Sequence, residues 1–434
     1  MKRQELLYAL VCFGDCAGSS RALASSALPL PPRCPEGVFR GVAMNHQPHV
    51  FTLEYAVELA LQQAAAVVGR TSPNPPVGAV VVRDGQVVGL GATQPAGGPH
   101  AERIALAAAG ERARGADLYT TLEPCTFYGR TPPCTEAIIA AGIRRVFFIA
   151  HDPDPRMGDG AAAVLQPAGI EVYRITTGAA TVAGQLAPFR CRVQCGRPLV
   201  TAKYAMTLDG RIATASGDSR WITDPAARAQ VHRLRDQVDV IMVGVGTIRN
   251  DDPQLTTRLD QHWREPRHPL RVIVDSRGQT PLHARVVRGD LPGQTLIACV
   301  QPEPAWLAAM QSRGVRVVQF PPDATGRVAL APLLHYLAHE GYNHLLVEGG
   351  AMLLGALHAE CLIDEIWAFI GARVVNDALA PGPMAGPGVA CMAMARRYRL
   401  RRLEQYDQDA LLIATAVDAP WWDVEEVADV YRHC

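Results

Sequence analysis

The stretch that decides the reading of this chain is TLEPCTFYGRTPPC (121–134), in which Cys125 and Cys134 each follow a proline. A common zinc signature sets only two residues between such cysteines. By itself the stretch is therefore open to three readings: a metal site, a structural pair, or chance in a chain with eleven cysteines. The segment PHAERIALAAAG (99–110) narrows the choice, because it places His100 and Glu102 at the start of a helix led by Pro99. Cys134 opens a second helix behind Pro132 and Pro133, and Cys125 follows the strand LYTTL (118–122). At a helix N-terminus the partial positive charge lowers a cysteine pKa and favours the thiolate that zinc needs. Catalytic zinc takes three nitrogen or sulfur ligands and keeps a fourth position for water, whereas structural zinc wants a fourth Cys or His. His100, Cys125 and Cys134 make three. Glu102, two residues from His100, reaches the open position without having to occupy it, as a general acid/base requires.

Outward from this centre, apolar residues recur at helical spacing from Leu53 to Val68 and stop at Gly69. AVVVRDGQVVGLG (79–91) reads as a hairpin about Asp84-Gly85. A helix over 101–109, the strand at 118–122, a helix over 134–141 and strands at 145–150 and 170–175 complete an αβα sandwich. The pattern weakens over 176–198. A second α/β series follows, with strands LVTAKYA, DVIMVGV, LRVIVDS, TLIACV, VRVVQF and NHLLVEGG and a helical segment DPAARAQVHRLRDQ between the first two. The division expected is an N-terminal extension without firm order at 1–48, a first domain carrying the candidate zinc site at 49–195, a second α/β domain at 196–418 and a tail at 419–434 with no assigned role.

Composition bounds the partners. The 434 residues are 48% hydrophobic and 19% charged, enough for two buried cores. Lys plus Arg equals Asp plus Glu at 42 each, so no excess positive charge is available to grip a nucleic-acid backbone. A small-molecule substrate is expected, with no nucleic acid, no membrane and room for a homo-oligomer. The cysteines are odd in number and scattered, which points to a reducing, cytoplasmic setting. Glu5 and Asp15 interrupt what would be a signal peptide, and Met44 opens a more ordinary start.

His-x-Glu followed by Pro-Cys is the arrangement of zinc deaminases, in which the Glu shuttles protons without binding metal. SPNPPVGAVVV, AGGPHAE, TLEPCTFYGRTPPC and AAGIRRVFFIAHDPDP together resemble the deaminase half of the bifunctional pyrimidine deaminase/reductase of riboflavin biosynthesis. KYAMTLDGRIATASGDSRWIT, HRLRDQVDVIMVGVGTIRNDDPQLTTR, RVIVDS and LLVEGGAMLLGAL resemble its reductase half in the same order. In this family a longer loop separates the two cysteine ligands than in cytidine deaminases. The resemblance implies a cytidine-deaminase-like αβα sandwich followed by a dihydrofolate-reductase-like α/β domain. It implies Zn2+ on His100, Cys125 and Cys134, catalytic Glu102, and hydrolytic deamination of a phosphoribosylaminopyrimidine. Asn74 and Arg130 match substrate positions. Phe127 and Thr93 stand where the family's commonest pattern has histidines, which motivates an alternative: a reductase with an impaired or re-specified deaminase domain.

In the second half, VGVGT lacks the third glycine of a dinucleotide fingerprint and reads as a tight turn. LLVEGGAMLLGAL runs a buried strand through Gly349-Gly350 into a helix, offering N–H groups to an anion. By resemblance this half binds NADPH and reduces a ribosyl group to ribityl. Ala205, Trp221, Thr247, Asp251, Ser276 and the segment from Gly350 to Ala356 match its cofactor positions. Ser219, Arg235, Leu255, Arg258 and Glu348 match its substrate positions, the arginines as forks for the ribose phosphate. Lys203 and Asp209 belong to the motif without a definite role.

Overall fold

The computed structural model describes residues 52–259 and 265–422, so the expectations for 1–48 and most of the tail lie outside the described residues. The first domain runs α1 (Leu53–Val67), β1 (Gly78–Arg83), β2 (Gln86–Ala92), α2 (Ala101–Ala109) and β3 (Asp117–Leu122). It continues with α3 (Cys134–Ala141), β4 (Arg145–Ala150), α4 (Gly160–Leu165), β5 (Glu171–Arg174) and α5 (Ala179–Cys195). Thr52 caps α1 by accepting from the Tyr55 N–H. Asp84 and Gly85, at φ 51° and 73°, make the turn between β1 and β2.

The first sheet has the order β2-β1-β3-β4-β5. β1 is antiparallel to β2 and β3, while β3, β4 and β5 are mutually parallel. Alternation along β1 sorts the layers: Ala79 and Val81 pack towards Ala101 and Ala105 of α2, and Val80 and Val82 towards Ala56 and Ala60 of α1. The start of β1, the ends of β2 and β3 and the start of α2 are thereby gathered at one edge of the sheet.

The second domain begins with β6 (Leu199–Thr207), α6 (Pro225–Gln237), β7 (Val240–Gly244), α7 (Val245–Asp251), β8 (Leu270–Val274) and β9 (Thr295–Cys299). Next come α8 (Pro304–Gln311), β10 (Arg316–Gln319), α9 (Leu330–His339), β11 (His344–Val347) and α10 (Ala351–Ala359). It closes with β12 (Glu365–Gly371), β13 (Tyr398–Tyr406) and β14 (Asp409–Ala416). The sheet order is β10-β9-β8-β7-β11-β6-β12-β14-β13, with every neighbouring pair parallel except that β14 runs antiparallel to both β12 and β13. Helices cover both faces of its centre. Val240 and Met242 pack with Leu333 and Leu337, and Ile241 and Val243 with Val286 and Met310, which is why these strands read as unbroken apolar runs.

Three features depart from the sequence reading. The weak stretch after Thr176 is the 17-residue helix α5, with Pro188 inside it. Val182 and Leu186 belong to the first core, whereas Ala187 and Cys191 pack with Leu199, Ala416 and Trp421; a helix buried on two sides shows no single apolar stripe. Strands β12, β13 and β14 had no counterpart in the sequence reading, and β13, exposed along most of its length, lacks the alternation that marks a half-buried strand. Finally, the first residues of the tail, which had no assigned role, are packed: Ala419 and Trp421 are buried, and Arg190 Nη1 donates to the Trp421 carbonyl at 3.2 Å.

Candidate active sites

The first site forms at the gathered sheet edge. His100 is the N-cap residue of α2, Glu102 lies in its first turn, Cys134 opens α3 and Cys125 follows β3. His100 Nδ1 stands 3.5 Å from the Sγ of Cys125 and 3.5 Å from that of Cys134, and the three ligand atoms all lie within 4.8 Å of one another. With zinc–nitrogen and zinc–sulfur bonds of about 2.0 and 2.3 Å at tetrahedral angles, an N···S edge comes to about 3.6 Å. The residues fit zinc. The Cys134 N–H also donates to Cys125 Sγ at 3.2 Å, the amide donation expected at a helix start. That Cys125 thiol is held down to about 4 by the hydrogen bonds it takes from Cys134 and His100, whereas Cys134 is pushed up by its bond to Cys125 and by burial. His100 is raised by its bond to Cys125.

Glu102 is 4% exposed, and burial, with the negative charge of Cys125 behind it, raises its carboxyl to about 7. A carboxyl poised near neutrality both takes and gives a proton there. Asn74 lies in the loop before β1, its N–H donating to the Thr71 carbonyl at 2.9 Å. Arg130 is exposed in the loop between the two cysteines. Phe127 packs beside Cys125, Cys134 and Met157, with the Arg156 guanidinium 4.0 Å from its ring centre. Asp154 holds that guanidinium by accepting from Nε at 2.9 Å and Nη2 at 2.5 Å. Thr93 is 2% exposed, and its hydroxyl accepts from the Val77 N–H at 3.2 Å.

The second site is a cavity of about 550 Å³ in the second domain. It brings together Ala205, Ser219, Trp221, Arg235, Thr247 and Asp251. Leu255, Arg258, Glu348, Gly350 and Lys203 line it as well. VGVGT is the passage from β7 into α7 that carries Thr247 to the wall. Gly349 and Gly350 adopt φ of 122° and 75° between β11 and α10, conformations closed to most side chains, and with Ala351 at the start of α10 they line this cavity. Ser276 does not line it; its hydroxyl accepts from the Val328 N–H at 3.0 Å.

Arg235 corrects the expectation of a free phosphate fork. Its Nε and Nη2 donate to Glu348 Oε1 and Oε2 at 2.5 and 2.9 Å, and Nη1 donates to the Thr256 carbonyl at 2.9 Å. Burial by itself would raise Glu348, but Arg235 overrides it and holds the carboxyl at about 2. Among the described residues Arg258 Nη1 donates to Gln254 Oε1 and Thr256 Oγ1 at 3.2 Å, and its Nη2 lies 3.3 Å from His232 Nε2, none of them a carboxylate. Lys203 is half-buried with its Nζ 3.9 Å from Glu348 Oε2, and burial lowers its pKa. Asp209 accepts from Thr207 Oγ1 and from the Val375 and Asn376 N–H groups, which ties down the segment after β12. Sequence reasoning missed Arg228, whose guanidinium lies 4.3 Å from the Trp221 ring centre on the cavity wall, and Phe369, which arrives on β12.

Residues 51–150 match the family described as the cytidine and deoxycytidylate deaminase zinc-binding region, and residues 198–412 match the RibD C-terminal domain. The riboflavin biosynthesis protein RibD of Escherichia coli (strain K12) is 38% identical over 371 residues, covering 83% of this chain and 98% of its own. That of Aquifex aeolicus (strain VF5) is 37% identical over 357 residues, covering 82% and 96%. Among solved structures, RibD of Acinetobacter baumannii superposes with a TM-score of 0.75 at 34% identity, covering 84% of this chain and 98% of that one. A diaminohydroxyphosphoribosylaminopyrimidine deaminase/5-amino-6-(5-phosphoribosylamino)uracil reductase of Thermotoga maritima gives 0.72 at 32% identity, covering 84% and 98%. With both domains matched in order over nearly the whole length of these relatives, the chain belongs to the RibD family of bifunctional riboflavin-biosynthesis deaminase/reductases.

Proposed function

We propose that the first site deaminates 2,5-diamino-6-(5-phosphoribosylamino)pyrimidin-4-one to 5-amino-6-(5-phosphoribosylamino)uracil, and that the second reduces the ribosyl group of that product to ribityl with NADPH. The observation that carries the first half is the near-tetrahedral spacing of His100, Cys125 and Cys134 beside the buried Glu102. Zinc, when bound by these three side chains, supplies the Lewis acid that makes water acidic near neutral pH. Glu102 accepts a proton from the attacking water and delivers it to the departing amine, so that the C–N bond breaks with loss of neutral ammonia. Asn74 and Arg130 hold the pyrimidine and its phosphate.

In the second site, NADPH supplies the hydride. The chain's own part is alignment: Arg258 takes the ribose phosphate, and the Arg235–Glu348 pair fixes the floor against which the sugar lies. Lys203, the half-buried amine beside Glu348 on the cavity wall, gives the proton that the opened ring oxygen needs. Thr247 and the N-terminus of α10 receive the cofactor phosphates.

One assay tests both halves: ammonia and NADPH followed together on the diaminopyrimidine ribotide. Glu102→Gln is expected to abolish ammonia release, keep zinc, and leave NADPH oxidation on the deaminated substrate unchanged. If the wild-type chain binds zinc and releases no ammonia, the alternative of a re-specified deaminase domain takes over, favoured by the apolar ring of Phe127 and by a Thr93 hydroxyl already engaged with Val77.

The balanced charge leaves nucleic acid out of the reading. Every cysteine among the described residues is free, which supports a reducing, cytoplasmic setting, and no described helix is long and apolar enough to cross a membrane. The homo-oligomer is supported by the edge strand β13, where Leu400 and Leu403 are 56% and 65% exposed. Sedimentation at the monomer mass would refute it.

A further inference from the structure

The loop that carries Asn74 belongs to the deaminase domain but is held from the reductase domain. Ser72 Oγ donates to Asp239 Oδ2 at 2.8 Å, and Asn343 Nδ2 donates to Ser72 Oγ at 3.1 Å and to the Pro73 carbonyl at 3.3 Å. Arg192, on the connecting helix α5, donates through Nη2 to the same carbonyl at 3.0 Å and through Nε to Asn343 Oδ1 at 2.5 Å. Asp239 also accepts the N–H groups of Asn343 and His344 at 2.7 and 3.0 Å and Arg267 Nη2 at 2.7 Å. Asp239 and Asn343 are 2% and 4% exposed. In a site this dry, such bonds fix geometry because a broken one leaves a polar group without solvent.

Upstream, Arg70 Nη2 meets both carboxylate oxygens of Asp236 at 3.0 Å. At Gly69 the domains approach so closely that a Cβ would fall 2.2 Å from the Gln237 carbonyl oxygen. Downstream, the loop closes on itself, with Thr71 Oγ1 donating to the Asn74 carbonyl at 2.9 Å. It then runs to the metal edge, where the Gly78 N–H donates at 3.1 Å to Thr121 Oγ1 on the strand that delivers Cys125. A displacement at Ser72 or Pro73 is therefore passed to Asn74 and on to the mouth of the zinc site.

We propose that Asn343 and Asp239 are positioning residues for the deaminase: the second domain holds Ser72-Pro73-Asn74 in place, so the first reaction depends on residues that line neither active site. The inference rests on the deaminase reading above. The elements involved also serve the reductase cavity, since β11 joins Asn343, just before it, to Glu348, just after it, and Asp236 directly follows Arg235 on α6.

The test uses the full chain. Asn343→Asp keeps the volume and the acceptor for Arg192 but removes both donations to the loop, and Ser72→Ala, on the half-buried loop itself, removes the link to Asp239. Both variants are expected to raise KM for the diaminopyrimidine ribotide and to lower kcat/KM of ammonia release about ten- to hundredfold. Zinc content and NADPH oxidation on the deaminated product should stay at wild-type values, and amide exchange over residues 71–78 should accelerate. Unchanged exchange over this loop in both variants overturns the proposal, as does a parallel loss of both activities. A wild-type chain that releases no ammonia counts against the deaminase reading, and the exchange comparison still decides whether the second domain holds the loop.

Discussion

At the scale of single residues, the proposed deamination rests on one carboxyl kept both buried and protonatable. Glu102 is raised to about 7 by burial beside Cys125, and Gln at this position keeps the shape while losing the transferable proton. The fall in ammonia release for Glu102→Gln is expected to reach at least about 10²- to 10⁴-fold, the usual worth of a positioned acid/base group, with zinc still bound by metal analysis. The residue types and their order made this site legible, because His100, Glu102, Cys125 and Cys134 each bring chemistry that few other side chains offer. Arg235 was not legible in the same way. A guanidinium suits a phosphate or a carboxylate equally, and only the fold reveals that the buried Glu348 occupies it.

At the scale of elements, three adjacent strands carry a buried polar chain that titrates in opposite directions. Thr201 Oγ1 on β6 donates to Glu365 Oε2 on β12 at 2.8 Å and lies 2.8 Å from His344 Nε2 on β11. Burial raises Glu365 from 4.5 to about 7, so the stability given by its folded-state protonation is complete below pH 4.5 and is lost as pH rises to about 7. Burial lowers His344 from 6.5 to about 4, so the stability of its neutral ring is complete above pH 6.5 and is lost as pH falls to about 4. Between pH 4.5 and 6.5 the two slopes oppose each other. Glu365→Gln should therefore show a thermal midpoint that falls on acidification through this window relative to the wild type, and His344→Gln one that rises. Parallel profiles for all three proteins would show that neither group titrates as stated. The strands of this chain differ in legibility for a related reason: β6 and β11, covered on both faces, read as apolar runs, whereas β13 presents most of its residues to solvent.

At the scale of the whole molecule, α5 is shared between two cores and the chain returns to it at the end. Trp421 is 5% exposed against Ala187, Cys191 and Leu199, with the Arg197 guanidinium 5.4 Å from its ring centre. Trp421→Ala is expected to cost about 3–5 kcal/mol, the range for emptying a buried aromatic site, read from denaturant unfolding at unchanged zinc content. An unshifted midpoint would show that the indole contributes nothing to holding the junction.

The sequence by itself determined the residue types of the first site and most of the local elements, α5 and β12 to β14 excepted. Helix starts at prolines, the Asp84-Gly85 turn and the apolar runs all depend on interactions within a few residues of one another, and the metal ligands are named by residue type and order alone. Tertiary structure alone decided the pairing of Arg235 with Glu348, the placement of Ser276 outside the cavity, the burial of Trp421 and the hold of Asn343 on Pro73. These contacts join residues 113 to 270 positions apart, or in the case of Ser276 and Val328 52 apart. No local pattern encodes them, because a buried polar group accepts whichever partner the packing of the two domains brings within reach.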